Sequence, residues 1–421
     1  MYTVDNFING AANTVSDDSS LIIDPSYGKD IGKVLYATTD SADLAIESAK
    51  QAFENWSLTG LSYRAELILK FRQGIIDRSN EIIGICTSEA GKTKPDAEAE
   101  LDRAIQALTN ASAVQHFYPS HLSPNVAGGI DIADRRYPIG VIAGVGPFNF
   151  PILIPILHSA MALVTGNTYI AKPSEKVPSI SRLYGDIYKE SGLPDGCYNV
   201  VNGSKEIVEH LVCHKDIAGL AFIGSTGAAR SLKMLGVEHN TKVQALGGGK
   251  NHMIVLPDAD LDMSADAAVS ASFGAAGQRC MAVSVVVAVG DIADDLINKI
   301  KERMPNLVMG KTDNNDTQLG PVISMENKER IYSFIDVAQS EGATLSVDGR
   351  KLSDGKEGCF VGPTLIDNVK PGMSVYENEI FGPVLCFVRA KTYEEAMVIT
   401  HGHKLGNGAA LFTRDGGVAQ K

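Results

Sequence analysis

Hydrophobic positions in the first hundred residues recur at helical spacing. Two sets of apolar residues repeat every four positions, namely Ala45, Ala49 and Phe53, and Leu67, Phe71 and Ile75. Residues four apart lie on the same face of an α-helix, so each set forms an apolar stripe that a neighbouring layer can cover. The pattern predicts an N-terminal helical layer.

From about residue 138 the pattern changes to short β-rich runs that alternate with helical stretches. The runs are GVIAGV, TYIA, YNVV, LAFI and KVQAL, and the helical stretches lie near 153–165, 179–190, 205–212 and 226–235. Five strands joined by helices predict a parallel, doubly wound α/β sheet. Such sheets bind ligands at the carboxyl ends of their strands, where this chain carries GPFNFP, KPSE, GSTG and GGGKN. The usual GxGxxG fingerprint is absent from these turns.

A second α/β pattern begins near residue 250. It contains a helix near 262–276 and a strand at 284–290, and the segments 363–369, 377–388 and 408–413 read as further strands or loops. The sequence thus predicts two α/β parts and no internal repeat.

Charge and cysteine usage exclude several classes of protein. The chain has 421 residues with 38 Lys+Arg against 50 Asp+Glu, a net charge of -12, which disfavours nucleic acid and anionic membranes. The N-terminal MYTVDNFING lacks a signal-peptide pattern, which predicts a cytoplasmic location, and the apolar run at 150–166 reads as a buried helix. Six scattered cysteines without CxxC spacing suggest neither disulfides nor a metal site.

One cysteine stands among unusually small residues, in the stretch FGAAGQRCMAVS. Small side chains let the backbone approach a ligand closely, and Arg279 beside Cys280 should favour the thiolate. Cys280 is therefore a candidate nucleophile. The alternative is a packed core cysteine, which is the commoner situation for a buried thiol.

Six motifs in order, GPFNFP, KPSE, FIGST, GGGK, GQRC and EIFGPV, resemble the aldehyde dehydrogenase superfamily across essentially the whole chain. Within it, GAAGQRCMA and GGGKNHMIVLPDADLD are most similar to the CoA-acylating methylmalonate-semialdehyde dehydrogenases. The resemblance implies an NAD-binding domain of residues 1–120 and 138–248, a small oligomerisation hairpin at 121–137 and an α/β catalytic domain at 249–421. Family members continue for several tens of residues, so this likeness predicts a catalytic domain that is incomplete at its C-terminal end.

The resemblance gives each matched residue a role. Cys280 would attack the aldehyde carbonyl, and Asn149 would stabilise the oxyanion together with the backbone N–H of Cys280. Asn149 could instead be a loop-capping residue. The implied cofactor-binding residues are Phe148, Lys172, Glu175, Gly224, Ser225, Glu379 and Phe381.

These cofactor positions favour NAD. A carboxylate at Glu175 accepts hydrogen bonds from a ribose and repels a 2′-phosphate. Gly224 and Ser225 match a turn beside a pyrophosphate. Phe381 could equally be a core residue, and Ala229 stands where the family usually has a glycine, which puts close packing of the cofactor there in question.

Leu246 occupies the position at which hydrolytic members carry a general-base glutamate. Leucine cannot accept a proton, and a thiol acceptor needs less help than water, so coenzyme A is the expected acyl acceptor. Arg279 and Arg103 match two arginines that hold a substrate carboxylate, although Arg103 could simply form a solvated ion pair. The expected substrate is malonate or methylmalonate semialdehyde, converted to acetyl-CoA or propionyl-CoA with loss of carbon dioxide.

Three other functions remain open. A non-acylating aldehyde dehydrogenase would need a base other than residue 246, and a nucleotide-binding protein without turnover would bind NAD only. A cysteine hydrolase is the least favoured, because no histidine lies in a recognisable thiol-protease signature. A homodimer or homotetramer is expected from the hairpin at 121–137.

Overall fold

The chain folds into two compact units. The computed structural model describes residues 1–16, 18–117, 119–353 and 355–421. The first unit contains Met1–Ile22, Asp30–Ala90 and Ala97–Gly247, and the second contains Ile23–Lys29, Gly91–Asp96 and Gly248–Lys421. Each unit has its own large sheet and its own core. The functions assigned to the predicted domains stay predictions.

Helices and strands alternate along most of the chain. The α-helices in the described ranges are α1 Thr39–Trp56, α2 Leu61–Asp77, α3 Ser79–Ala90, α4 Lys94–Ser112, α5 Val114–Phe117, α6 Leu153–Val164, α7 Ser179–Glu190, α8 Lys205–Cys213, α9 Thr226–Glu238, α10 Leu261–Phe273, α11 Ala293–Arg303, α12 Met325–Ser340, α13 Arg350–Ser353, α14 Ser374–Glu377, α15 Tyr393–His401 and α16 Gly416–Ala419. The strands are β1 Tyr2–Val4, β2 Asn6–Ile8, β3 Ala11–Asn13, β4 Ser19–Asp24, β5 Lys29–Leu35, β6 Leu122–Ala127, β7 Ile130–Ala133, β8 Val141–Val145, β9 Thr168–Lys172, β10 Tyr198–Val200, β11 Ile217–Ile223, β12 Lys242–Leu246, β13 Asn251–Val255, β14 Val283–Val289, β15 Thr344–Val347, β16 Thr364–Asp367, β17 Val384–Ala390 and β18 Ala409–Phe412.

The first unit is built on a seven-stranded sheet with the order β12-β11-β8-β9-β10-β2-β3. The five strands from β8 to β12 pair in parallel, which confirms the doubly wound sheet expected from the alternating pattern. Strands β2 and β3 extend it in antiparallel fashion. The sequence pattern gave no sign of these two strands, because three residues are too few to show an alternation.

The predicted N-terminal helix covers one face of this sheet. Thr38 caps α1, its side-chain oxygen accepting the N–H of Ser41, and Ala45 and Ala49 are fully buried in the same core as Val141 of β8. Burial of an apolar stripe of this kind is the main source of helix stability in a folded protein. The helical layer is therefore confirmed.

Two smaller sheets accompany the main one. Strands β1, β5 and β4 form a three-stranded sheet, and β6 and β7 form an antiparallel hairpin within the predicted segment 121–137. Every residue of both hairpin strands is exposed. The oligomerisation role of this hairpin stays a prediction.

The second unit is built on a six-stranded sheet with the order β15-β16-β17-β14-β13-β18, in which only the pair β15 and β16 is antiparallel. Alternate residues of the central strand β14 face opposite cores. Val285 and Val287 join the core that includes α12, whereas Val286 joins the core that includes α10 and α11. Helices on both faces explain why β14 is a continuous apolar run.

One predicted helix ends early. The segment 262–276 was expected to be helical throughout, but α10 ends at Phe273 and a 3₁₀ turn follows over Gly274–Gly277. Ala275 and Ala276 have left-handed backbone angles, with φ of 51° and 53°. Among the described residues, no helix combines the length and apolar character needed to cross a bilayer.

Candidate active site

Four candidate residues of the first unit lie at one edge of its sheet. Asn149 follows β8, Lys172 ends β9, Ser225 follows β11 and Leu246 ends β12. These strands are parallel neighbours in the order β12-β11-β8-β9, so their carboxyl ends meet. The structure thus gathers at one edge the segments that the strand-end rule singles out.

A buried carboxylate fixes the segment that carries Asn149. Glu100 of α4 is 2% exposed and accepts the backbone N–H groups of Ile152 and Leu153, both at 2.8 Å. A carboxylate at the start of α6 satisfies N–H groups that have no partner within the helix and complements its dipole. Asn149 itself is buried, and Phe148 is half-buried. Sequence analysis did not identify Glu100, because an acidic residue on a helix is usually solvated.

Two features that favour an anion, a lysine and a helix N-terminus, lie further along the same edge. The buried Nζ of Lys172 is 3.5 Å from the Glu175 carboxylate, and burial lowers the pKa of Lys172 while Glu175 opposes that effect. Ser225 caps the thirteen-residue helix α9, its Oγ accepting the N–H of Ala228 at 3.4 Å. A buried ammonium group with a carboxylate beside it and a helix N-terminus together suit a phosphorylated ligand that also carries hydroxyl groups.

The two positions that depart from the family pattern, Ala229 and Leu246, lie in different environments. Ala229 is buried in the core of the first unit, so its methyl group is accommodated within the helix packing. Leu246 is 50% exposed at the end of β12 and offers no proton acceptor. Gly224 donates its backbone N–H to the carbonyl of Leu246 at 3.1 Å, which joins the two predicted turns.

In the second unit, Cys280 lies in a tight turn just before β14. The N–H of Ala282 donates to the carbonyl of Arg279 at 3.1 Å, so Cys280 and Met281 are the two central residues of the turn. The thiol is half-buried. A small cavity of about 20 Å³ is lined by Cys280, Arg279, Glu379 and Phe381 among others. The structure therefore brings together four of the predicted site residues of this unit.

The backbone that leads to Cys280 is held in an unusual conformation. Ala275, Ala276 and Gly277 are consecutive left-handed residues, which costs roughly 1–2 kcal/mol for each alanine. A Cβ at Gly277 would lie 2.1 Å from the carbonyl oxygen of Gly382, so only glycine fits there. A second glycine, Gly274, leaves room for the guanidinium of Arg279, since a Cβ there would lie 2.6 Å from its nitrogens. This glycine-rich run thus shapes the site directly.

Asp96 supplies the contacts that support this backbone. Its carboxylate accepts the N–H of Ala275 at 3.2 Å and the hydroxyl of Thr93 at 2.9 Å, and it forms an ion pair with Arg279. Arg279 and Asp96 are 183 positions apart in the sequence. Nothing in the sequence signals a pair at that separation.

The expected effect of Arg279 on the thiol is wrong. The pKa of Cys280 is raised rather than lowered, because burial disfavours the thiolate and the Glu379 carboxylate repels it. The backbone N–H groups of Cys280 and Met281 act in the opposite direction and favour the anion. Arg279, which forms an ion pair with Asp96, is not among the groups that favour the thiolate.

Glu379 and Phe381 occupy a segment that two cationic side chains, the half-buried Arg330 and a buried lysine, hold in place. Glu379 is half-buried and accepts the N–H of Gly249 at 3.2 Å, and burial raises the pKa of its carboxyl. Arg330 donates to the carbonyls of Glu379, at 3.5 Å, and of Ile380. Phe381 has φ of 56°, a strained value for an aromatic residue.

The second of these cations is Lys250, whose Nζ donates to the carbonyls of Val375 and Asn378 at 2.6 and 2.8 Å. Burial lowers the pKa of this lysine. The sequence assigned no role to either Arg330 or Lys250.

Arg103 differs from the other predicted residues. It is exposed on α4 of the first unit, and none of the ion pairs within the described ranges includes it. The structure therefore does not support a solvated ion pair for this side chain. Its contact with a substrate carboxylate stays a prediction.

Comparison with known proteins identifies the class. The family model described as the aldehyde dehydrogenase family matches residues 14–421, and the chain belongs to this family. Among curated proteins, malonate-semialdehyde dehydrogenase 3 of Geobacillus kaustophilus is 39% identical over 413 residues, which is 98% of this chain and 85% of that protein.

Solved structures agree with this result. The methylmalonate-semialdehyde dehydrogenase of Oceanimonas doudoroffii superposes with a TM-score of 0.98 at 39% identity, covering 100% of this chain and 87% of that one. A Sinorhizobium meliloti protein described as a methylmalonate-semialdehyde dehydrogenase and crystallised with NAD has a TM-score of 0.97 at 40% identity, with 100% and 86% covered. The aldehyde dehydrogenase fold expected from the six motifs is confirmed.

Proposed function

We propose that this protein is an NAD-dependent, CoA-acylating dehydrogenase of malonate or methylmalonate semialdehyde. The products are acetyl-CoA or propionyl-CoA, carbon dioxide and NADH. The relatives named above supply the substrate class, and the residues around Cys280 supply the chemistry.

One observation carries the substrate assignment. Arg279, adjacent to the half-buried Cys280, already binds a carboxylate, that of Asp96. It lines the small cavity at Cys280 and also a cavity of about 1040 Å³ within the second unit. An arginine that lines both spaces suits an aldehyde with a carboxylate at its other end, since the fork geometry of a guanidinium matches two carboxylate oxygens. From the family pattern we assign Arg103 the same role, which is to bind the substrate carboxylate.

The first unit fits NAD. The buried Lys172 and the neighbouring Glu175 would contact the adenosine ribose, and the start of α9 at Gly224 and Ser225 would face the pyrophosphate. Phe148, Glu379 and Phe381 complete the proposed set. When bound, NAD supplies the hydride acceptor.

Cys280 performs the covalent steps. Its thiol loses a proton and the sulfur bonds to the aldehyde carbon, whose oxygen becomes an anion. The N–H of Cys280 and the amide of Asn149 are the proposed donors to that oxygen. Departure of hydride leaves a thioester on Cys280 with a carboxylate on the adjacent carbon. Breaking the bond to that carboxylate releases carbon dioxide, and the electron pair left behind forms an enolate that takes up a proton.

The second acyl transfer favours a thiol. Leu246 cannot act as a general base toward water, whereas coenzyme A reacts as a thiolate, which is far more available than hydroxide near neutral pH. Attack of its sulfur on the thioester carbon releases the Cys280 thiolate. Coenzyme A is therefore a co-substrate in this proposal.

The test is NADH formation by the purified protein with malonate semialdehyde and NAD, with and without coenzyme A, and with acetyl-CoA followed by mass spectrometry. Turnover that requires coenzyme A supports the acylating reaction. Turnover without it would favour the non-acylating alternative with a different base. NAD binding without any NADH would favour a nucleotide-binding protein.

We also propose a cytoplasmic homodimer or homotetramer that assembles through the hairpin at 121–137. Leu122, Val126, Ile130 and Ile132 are exposed apolar residues of this hairpin, and such clusters on a protein surface commonly mark contacts between proteins. Replacing Ile130 and Ile132 by serine should shift the molar mass measured by light scattering to that of a monomer.

A further inference from the structure

The peptide bond between Cys280 and Met281 is the central peptide of the turn that carries the thiol. The turn is closed by the hydrogen bond from Ala282 N–H to the Arg279 carbonyl, and that bond involves neither the C=O of Cys280 nor the N–H of Met281. The common β-turn types differ by a flip of this central peptide, which the closing hydrogen bond alone does not prevent. Something else must fix its direction.

Two side-chain amides do so. The carbonyl oxygen of Cys280 accepts one hydrogen bond from Nδ2 of Asn251 at 2.9 Å and another from Nδ2 of Asn407 at 2.7 Å. A carbonyl oxygen has two lone pairs, so its capacity is filled. Asn251 also donates to the carbonyl of Ala282 at 2.8 Å and accepts the N–H of Gly408 at 2.8 Å.

The sheet explains how two distant asparagines reach one oxygen. Strand β13 lies between β14 and β18, and all three run in parallel. Asn251 is the first residue of β13, Cys280 lies shortly before β14 and Asn407 lies shortly before β18. The amino ends of adjacent parallel strands meet, so the three segments lie side by side.

The clamp that Asn251 and Asn407 form on the Cys280 carbonyl also affects the opposite side of the peptide. In a trans peptide the C=O and the following N–H point in opposite directions. Fixing the Cys280 carbonyl therefore fixes the Met281 N–H, which is one of the two backbone groups that favour the Cys280 thiolate. A flipped peptide would turn this N–H away and bring a carbonyl oxygen toward the sulfur.

We propose that Asn251 and Asn407 are positioning residues that prevent a flip of the Cys280–Met281 peptide and so keep the thiol in its reactive setting. The inference rests on the proposed role of Cys280 as nucleophile. Neither asparagine touches the reacting atoms. Asn407 is the more informative of the two, because it is exposed and its main other role is to adopt φ of 116°, which glycine also tolerates.

Every protein in the test carries Cys213→Ala, which removes another half-buried thiol. Asn407→Gly, Asn407→Asp and Asn251→Ala are each compared with the chain that carries no further substitution, called the unchanged chain below. The rate of Cys280 alkylation by iodoacetamide is measured from pH 6 to 10, with the modified peptide identified by mass spectrometry. Asn240→Gly is the matched control, since Asn240 is an exposed asparagine at φ of 59° in the first unit.

Loss of one donor should lower the alkylation rate at pH 8 about fivefold, the worth of one hydrogen bond, and move the profile to higher pH. Asn407→Asp should lower it further, because a carboxylate repels the carbonyl oxygen. Asn240→Gly should match the unchanged chain. Folded Asn407 variants whose profiles superimpose on that of the unchanged chain would overturn the proposal.

Alkylation needs neither substrate nor cofactor. The result therefore stands whether or not NADH is formed, and a failure of the proposed function remains distinguishable from a failure of the clamp.

Discussion

The two large sheets present their candidate residues at opposite strand ends. In the first unit Asn149, Lys172 and Ser225 follow or end parallel strands, whereas in the second Asn251 begins a strand and Cys280 precedes one. The carboxyl ends of a parallel sheet are its usual ligand-binding edge. The second unit departs from that rule, because its candidate residues lie at the amino ends of the strands.

The two edges are also held differently. In the first unit helix starts support the site, with Ser225 capping α9 and Glu100 satisfying the start of α6. In the second unit a left-handed run and side-chain amides hold Cys280 in its turn. A helix start suits a fixed anion site, and a clamped turn suits a nucleophile that must keep one orientation.

The largest expected effect is on activity and concerns the second unit, where Cys280 lies at the amino ends of the strands. Cys280→Ala should lower NADH formation more than about a thousandfold, because the covalent step loses its sulfur. NAD affinity, measured by calorimetry, should stay within about twofold, because the residues proposed for its phosphates lie in the first unit. Cys213→Ala, at the end of α8 in the first unit, is the matched control and should retain full activity.

Retained oxidation by Cys280→Ala would remove the assignment of the nucleophile. Lost NAD binding together with lost activity would break the separation between the two edges.

A second feature to test is a buried carboxyl group of the first unit. Glu89 of α3 is fully buried in the first unit, where it accepts the hydroxyl of Tyr2 at 2.5 Å and the N–H of Ser179 at 3.3 Å. Burial raises its pKa to about 7, and these hydrogen bonds only partly oppose that effect. The free carboxyl titrates near 4.5, so the folded chain holds the proton more tightly than the unfolded chain.

Stabilisation from the Glu89 proton should therefore be complete below about pH 4.5 and be lost as the pH rises through about 7. Glu89→Gln keeps a neutral side chain at every pH. Relative to the original chain, this variant should gain about 3 kcal/mol of unfolding free energy between pH 4.5 and pH 8. Urea unfolding at several pH values measures the difference, and parallel curves for the two proteins would refute the assignment.

The sequence predicted much of the first unit because its signals are local. The alternation from residue 138 onward predicted β8 to β12, their parallel pairing and the edge at which Asn149 and Lys172 lie. Strands β2 and β3 were not predicted, because three residues carry no pattern and because β2 joins the sheet by pairing with β10, nearly 200 positions away.

In the second unit the decisive contacts are long-range. Motif resemblance located Cys280, Glu379 and Phe381, but it could not predict that Asp96 engages Arg279 across 183 positions. Burial and the Glu379 carboxylate, rather than Arg279, determine the direction in which the pKa of Cys280 shifts. Ala275 and Ala276 of the left-handed turn were predicted as the end of a helix, because alanine favours helices and only tertiary contacts impose another conformation.

The segment that carries Asn149 in the first unit can be destabilised without a change in the second unit. Glu100→Gln keeps the size of the side chain and replaces one acceptor oxygen by an amide donor, so the N–H groups of Ile152 and Leu153 lose a charged partner. Unfolding free energy should fall by about 2 kcal/mol. Activity should fall with it if Asn149 acts from this segment, while the pH profile of Cys280 alkylation should not change. A changed alkylation profile would show that the two edges are not independent.

The smallest effect should arise at Lys172. Lys172→Met replaces a buried ammonium group by an apolar side chain of similar length, so the fold should be preserved. NAD affinity should fall about tenfold, which corresponds to about 1.4 kcal/mol, because a charge-assisted contact to the proposed ribose is lost. Lys176→Met, four residues further on and half-buried, is the matched control and should leave NAD affinity unchanged. Equal losses in both variants would mean that general charge, rather than a contact at the end of β9, governs cofactor binding, and the carboxyl-end assignment would then fail.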